Sequence, residues 1–122
     1  MMLVAIIDDD EPLRTGLASL VRAMGYAVHL FASAQDFLGT ADIATFDCVI
    51  TDVQMPRMNG VELLRALTTA GHHLPVIFIT AFPNDKLMEE AQTVGAAGIF
   101  SKPFHAESLA QCLAGACTRR SP

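Results

Sequence analysis

Apolar residues in this chain gather into five short runs, Leu3–Ile7, Ala27–Phe31, Cys48–Ile50, Val76–Ile79 and Gly98–Phe100. Runs this short, bounded by turn signals, predict strands rather than helices. Most of them are continuous rather than alternating, which predicts burial on both faces of a sheet. Ala27–Phe31 partly alternates.

Between the runs the period changes to that of a helix. Leu13, Leu17, Leu20, Val21 and Met24 recur at helical spacing, with Pro12 in the first turn and Gly25 as the stop. Ser33 and Asp36 have the spacing of a capping box before a short helix carrying Phe37 and Leu38, which fades at Gly39. Thr40–Asp47 reads as a surface connection. After an Asn59-Gly60 turn, Val61, Leu63, Leu64 and Leu67 mark a third helix that ends near Gly71. Asn84 or Asp85 caps a fourth, with Leu87, Met88, Ala91 and Val94, closed by Gly95. A last helix from about Ala106 carries Leu109, Cys112, Leu113 and Ala116, and Thr118–Pro122 is polar.

Strands alternating with helices predict an α/β fold, a doubly wound parallel sheet with right-handed crossovers. A chain of 122 residues is expected to form one domain, here 1–118, with 119–122 as a polar tail or the start of a linker. The 52% hydrophobic content suits a sheet buried on both faces and argues against disorder. A formal net charge of −5 argues against a nucleic-acid surface. No apolar run is long enough to span a bilayer, so no membrane contact is expected. The opening run lacks a basic flank and leads straight into acids, unlike a signal peptide, and a cytoplasmic protein is expected. Three cysteines without a CxxC pair fit reduced thiols; Cys48 and Cys112 read as core-filling and Cys117 as more exposed. His72-His73 reads as a solvated loop pair.

Chemistry-bearing residues fall repeatedly at one kind of place, the carboxyl end of a strand. They are Asp8 and Asp9, then Asp52, Thr80 and Lys102. A parallel sheet brings all these ends to one edge, where open α/β sheets place their ligand crevice. Taken singly each has a plain reading: a capped helix start, a turn former, a strand-end hydroxyl, an exposed lysine. Together they are mutually intelligible. Clustered carboxylates repel unless a cation neutralises them, and a hard divalent ion such as Mg²⁺ prefers oxygen ligands. A lysine charge and a hydroxyl donor complete a site for a phosphoryl group, for which a lone carboxylate such as Asp52 can be the acceptor.

The stretches Ile-Ile-Asp-Asp-Asp-Glu-Pro, Thr-Asp-Val-Gln-Met-Pro-Arg-Met-Asn-Gly, Ile-Thr-Ala and Ser-Lys-Pro-Phe, in this order, resemble the receiver domain of bacterial two-component response regulators. This is the CheY-like superfamily, and the Asp-Val-Gln-Met-Pro and Glu-Pro-Leu-Arg runs most resemble its FixJ-type branch. The resemblance implies a (βα)5 flavodoxin-like fold with strand order 2-1-3-4-5, an order that periodicity does not reveal. It implies that Asp52 takes a phosphoryl group from a histidine kinase. It implies Mg²⁺ held by Asp8, Asp9, Asp52 and the backbone carbonyl of Gln54. Lys102 and Thr80 would contact the phosphoryl oxygens, and the Lys102–Pro103 peptide would be cis.

The resemblance further implies a protein that catalyses only its own phosphorylation and dephosphorylation. It implies dimerisation through the fourth helix, fifth strand and fifth helix, around Leu87 and Ile99. The chain would be either a single-domain regulator or a receiver whose effector domain lies outside it. Receivers often carry an aromatic residue where this chain has Ile99, so output is expected through the loop after Thr80 and the Asp85–Val94 helix. Gln54 and Phe82 occupy positions that flank the attacking water in the family, and a bulky Phe82 would slow self-dephosphorylation. The competing readings are a small Asp-nucleophile phosphatase or phosphotransferase, and a degenerate receiver that only binds partners.

Overall fold

A computed structural model describes residues 2–40, 42–81 and 83–120, the last three as backbone only. The five apolar runs form parallel strands: β1 (Leu3–Ile7), β2 (Ala27–Phe31), β3 (Cys48–Asp52), β4 (Val76–Thr80) and β5 (Gly98–Ser101). Their order in the sheet is β2-β1-β3-β4-β5, with β1, β3 and β4 flanked on both sides. The helices are α1 (Glu11–Ala23), α2 (Ala34–Leu38), α3 (Gly60–Thr69), α4 (Asp85–Thr93) and α5 (Ala106–Arg120).

The side-chain period of two within each strand sends successive residues to opposite faces, and both faces are apolar. Ala5, Ile7, Val49, Val76 and Phe78 face one core, completed by Phe37 of α2, Leu63, Leu64 and Leu67 of α3, and Ala91 of α4. Val4, Ile6, Cys48, Ile50, Ile77 and Ile79 face the other, completed by Ala18 and Val21 of α1 and by Leu109 and Leu113 of α5. The molecule is therefore a three-layer sandwich, as the strand–helix alternation predicts.

Several helix starts are fixed by side chains. The carboxylate of Asp10 accepts the N–H of Leu13, Ser33 Oγ accepts that of Asp36, and Asn84 Oδ1 accepts that of Leu87. The reciprocal capping box occurs at α3: Glu62 N–H donates to Asn59 Oδ1, and Asn59 N–H to Glu62 Oε1. Asn59-Gly60 is thus a helix start rather than a free turn. Its signal, Asn with Glu three residues on, is plainly present in the sequence.

Three expectations are corrected. Thr40–Asp47 is no mere surface connection: it contains a 3-10 turn at Ile43–Thr45, and Ile43 and Phe46 are buried. Phe46 packs edge-on against Phe31, Phe37 and His29, at ring centroid distances of 6.0, 5.5 and 5.8 Å. Cys117 is buried at 3% exposure, because α5 continues past it and places it one turn after Leu113 on the core face. The α5 backbone also runs to Arg120, beyond the polar boundary predicted at Thr118.

Candidate functional site

Strand register brings the sequence-predicted residues to one edge. Ile7 pairs with Thr51, so Asp8, one residue on, stands level with Asp52. Asp52 pairs with Ile79, and Thr80 pairs with Ser101, which precedes Lys102. The Lys102 N–H donates to the Thr80 carbonyl at 2.9 Å, carrying the β4–β5 ladder one step further. The peptide that follows, Lys102–Pro103, is cis.

Asp8, Asp9 and Asp52 each direct a carboxylate oxygen to a common place, all within 4.8 Å of one another. Oxygens that share one Mg²⁺ at about 2.1 Å lie at most about 4.2 Å apart, so small side-chain rotations would seat such an ion. The donor set is all oxygen, as a hard cation prefers. Asp8 is buried and Asp9 exposed, so the cluster opens toward solvent on one side.

The electrostatics agree with this grouping. Burial pushes the Asp52 carboxyl up to about 6. The N–H of Gln54, donating to Asp52 Oδ1 at 3.1 Å, pulls it back, as does the Lys102 ammonium, while Asp8 and Asp9 push it further up. Burial likewise raises Asp8, against the Asp10 N–H, which donates to Asp8 Oδ1 at 2.9 Å, and against Lys102. Lys102 therefore acts on both carboxyls from the end of β5. Thr80 is buried at the end of β4, with 2% exposure.

Two residues bordering the site stand in the family-like stretches but were given no role in the site by the sequence. Arg14, on α1, donates from Nη1 to the backbone carbonyl of Asp8 at 2.6 Å. Gly60 lies against the end of β3, its N–H donating to the Val53 carbonyl at 2.9 Å. An arginine on a helix start looks solvated in a sequence, and nothing in its spacing reveals a carbonyl partner. The Gly60 signal was legible only as a turn residue. Phe82, the expected neighbour of the hydrolytic water, lies outside the described residues. Ile99 is half-buried against the core beneath α2, α3 and α4.

Residues 4–114 match the family model for the response regulator receiver domain. This chain belongs to the receiver family. Among curated relatives, the receiver is 38% identical over 106 residues to response regulator protein TodT of Pseudomonas putida, covering 87% of this chain and 47% of that protein. It is 41% identical over 101 residues to transcriptional regulatory protein FixJ of Azorhizobium caulinodans, covering 83% of this chain and 48% of that protein. The receiver thus spans about half the length of the curated relatives it matches. Among solved structures, FixJ-N superposes with a TM-score of 0.87 at 34% identity, covering 97% of this chain and 94% of that one. Full-length FixJ from B. japonicum gives 0.88 at 31% identity, covering 99% and 60%. The strand order of the receiver agrees with the flavodoxin-like expectation. No helix among the described residues is long and apolar enough to cross a membrane.

Proposed function

We propose that Asp52 is the phospho-acceptor of a two-component relay, taking its phosphoryl group from a histidine kinase in a Mg²⁺-dependent reaction. The observation that carries this reading is the convergence within 4.8 Å of carboxylate oxygens from the loop after β1 and from the end of β3, with the Lys102 charge acting on the same group. An Asp52 oxygen attacks phosphorus, the P–N bond to the donor imidazole breaks, and its electron pair leaves with the imidazole. The product on this chain is an acyl phosphate. The Gln54 N–H holds Asp52 Oδ1 and so fixes the rotation of the carboxyl for an in-line approach.

Asp8, Asp9, Asp52 and the Gln54 carbonyl would hold Mg²⁺, which when bound neutralises the carboxylates and the transferring oxygens. Lys102 pairs with the phosphoryl oxygens, and Thr80 donates its hydroxyl to them. The donor has a seat nearby. An apolar groove of about 210 Å³ beside Lys102 is lined by Pro12, Leu13, Leu17, Leu20 and Phe104, with Leu13 left 37% exposed. A donor helix carrying the phosphohistidine would set one or two apolar side chains into this groove.

Incubation with Mg²⁺ and a small acyl-phosphate donor tests the assignment. A phosphoryl mass gain is expected on the wild type and not on Asp52→Asn. Equal labelling of both would overturn it. Turnover of a generic phosphomonoester would favour a phosphatase instead.

A further inference from the structure

We infer that Arg14 is a positioning residue for the acid pocket, acting through the backbone carbonyl of Asp8; the inference rests on the Mg²⁺ site proposed above. Asp8 is gripped by three different elements. Its N–H donates to the Phe31 carbonyl at the end of β2, at 3.1 Å. Its carboxylate Oδ1 accepts the N–H of Asp10, at 2.9 Å. Its carbonyl accepts Arg14 Nη1, at 2.6 Å, a short contact of the kind a charged donor makes.

Arg14 meets the same turn twice. Its own N–H donates to the Asp10 carbonyl at 2.9 Å, while the Asp10 carboxylate caps α1 through the Leu13 N–H at 3.2 Å. The link runs in a closed ring, from Asp8 to Asp10, from Asp10 to the start of α1, and from α1 back to Asp8. Opening the ring at Arg14 releases the peptide after Asp8. That peptide sets both the aim of the Asp8 carboxylate and the place of Asp9. Losing a group that orients a ligand from outside typically costs roughly 10–100-fold in metal affinity.

The sign of the effect separates positioning from plain electrostatics. Arg14 is a fixed positive charge beside a cation site. If charge alone mattered, removing it would tighten Mg²⁺ binding. Loss of positioning weakens it.

The test is calorimetric Mg²⁺ titration of the full chain for wild type, Arg14→Met and Arg14→Lys, with amide exchange at Asp9 and Asp10 measured in the metal-free proteins. Methionine keeps most of the stem and loses the donor; lysine keeps the donor. The expected result is about tenfold weaker binding for Arg14→Met, with faster exchange at Asp9 and Asp10, and recovery of both to within about threefold for Arg14→Lys. Tighter or unchanged binding in Arg14→Met would overturn the positioning role while leaving the metal site intact. So would equal weakening of both variants. No saturable binding by the wild type would sink the Mg²⁺ site, and this inference with it.

Discussion

Gly60 and Asp52 are in contact in a way that leaves no space for a side chain. A Cβ on Gly60 would stand 2.7 Å from the Asp52 carbonyl oxygen, 3.0 Å from Phe78 Cε1 and 3.1 Å from Val53 Cα. Two of those atoms are backbone at the end of β3, so they have no rotamer with which to yield. The helix that follows the site starts directly against the strand that carries the acceptor.

Gly60→Ala is therefore expected to lose about 1–3 kcal/mol of stability and to slow labelling of Asp52 by an acyl-phosphate donor. Gly71→Ala is the control. Gly71 has φ +87° and open space around it, so alanine there costs about 1–2 kcal/mol through backbone strain alone. Denaturant unfolding with phosphorylation rates should show similar destabilisation and a rate defect confined to Gly60→Ala. Equal rates in the two variants would refute the link.

Asp52 carries a pH signature. Its carboxyl ordinarily titrates near 3.8 and is pushed to about 6 in the folded protein, chiefly by burial. Between these values the folded state holds a proton that the unfolded chain has released, so unfolding free energy falls as pH rises through the window. Above it the penalty is complete. Asp52→Asn removes the penalty and should stabilise the metal-free protein on the order of 1 kcal/mol at neutral pH, after screening by solvent, and not at all below about pH 3, under the ordinary carboxyl value. Urea unfolding of both proteins across this range checks it; a pH-independent difference would count against the burial argument.

Mg²⁺ should oppose the same penalty. At about ten times its dissociation constant it should add about 1.4 kcal/mol to the unfolding free energy. The gain should shrink as pH falls below about 6, where Asp52 takes up its proton. It should also shrink in Asp52→Asn. Thermal unfolding with Mg²⁺ and then with a chelator measures this, and an equal gain in both proteins would exclude Asp52 from the ligand set.

On the opposite core, Gly98 and Cys112 are similarly matched. A Cβ on Gly98 would lie 2.5 Å from Cys112 Sγ and 3.3 Å from Phe100 Cε2. Gly98→Ala should cost about 1–3 kcal/mol, and adding Cys112→Ala should restore part of it, with a coupling of about 1 kcal/mol. Additive losses in the double-mutant cycle would show that the sulfur is not the obstacle.

Much of this was readable from pattern. The strands at Leu3–Ile7 and Val76–Ile79 appear as continuous apolar runs because both sheet faces are covered, Ala27–Phe31 at the sheet edge only partly so, and the helices show as spaced leucines. Strand order was legible only through family resemblance, since no local period encodes which parallel strand lies beside which. Asp8, Asp9 and Asp52 do converge, and strand ends predicted that. What stayed hidden depends on contacts between distant segments. Phe46 sits in a stretch too short for any period to declare itself, and the Arg14 bond ends on a carbonyl, which every residue possesses.

The ring contacts of Phe46 have a bearing on how α2 is held in place. Phe37 meets Phe31 at 5.2 Å and Phe46 at 5.5 Å, and it belongs to α2, a helix of only five residues. One so brief does not persist on its own backbone bonds. Its hold is tertiary: Phe37 is fully buried in the aromatic cage, which ties α2 to β2 and to Phe46. Phe31 is also the acceptor for the Asp8 amide. The aromatic cage that holds α2 and the acid pocket thus share Phe31, so a substitution that shifts this end of β2 would displace the Asp8 amide as well.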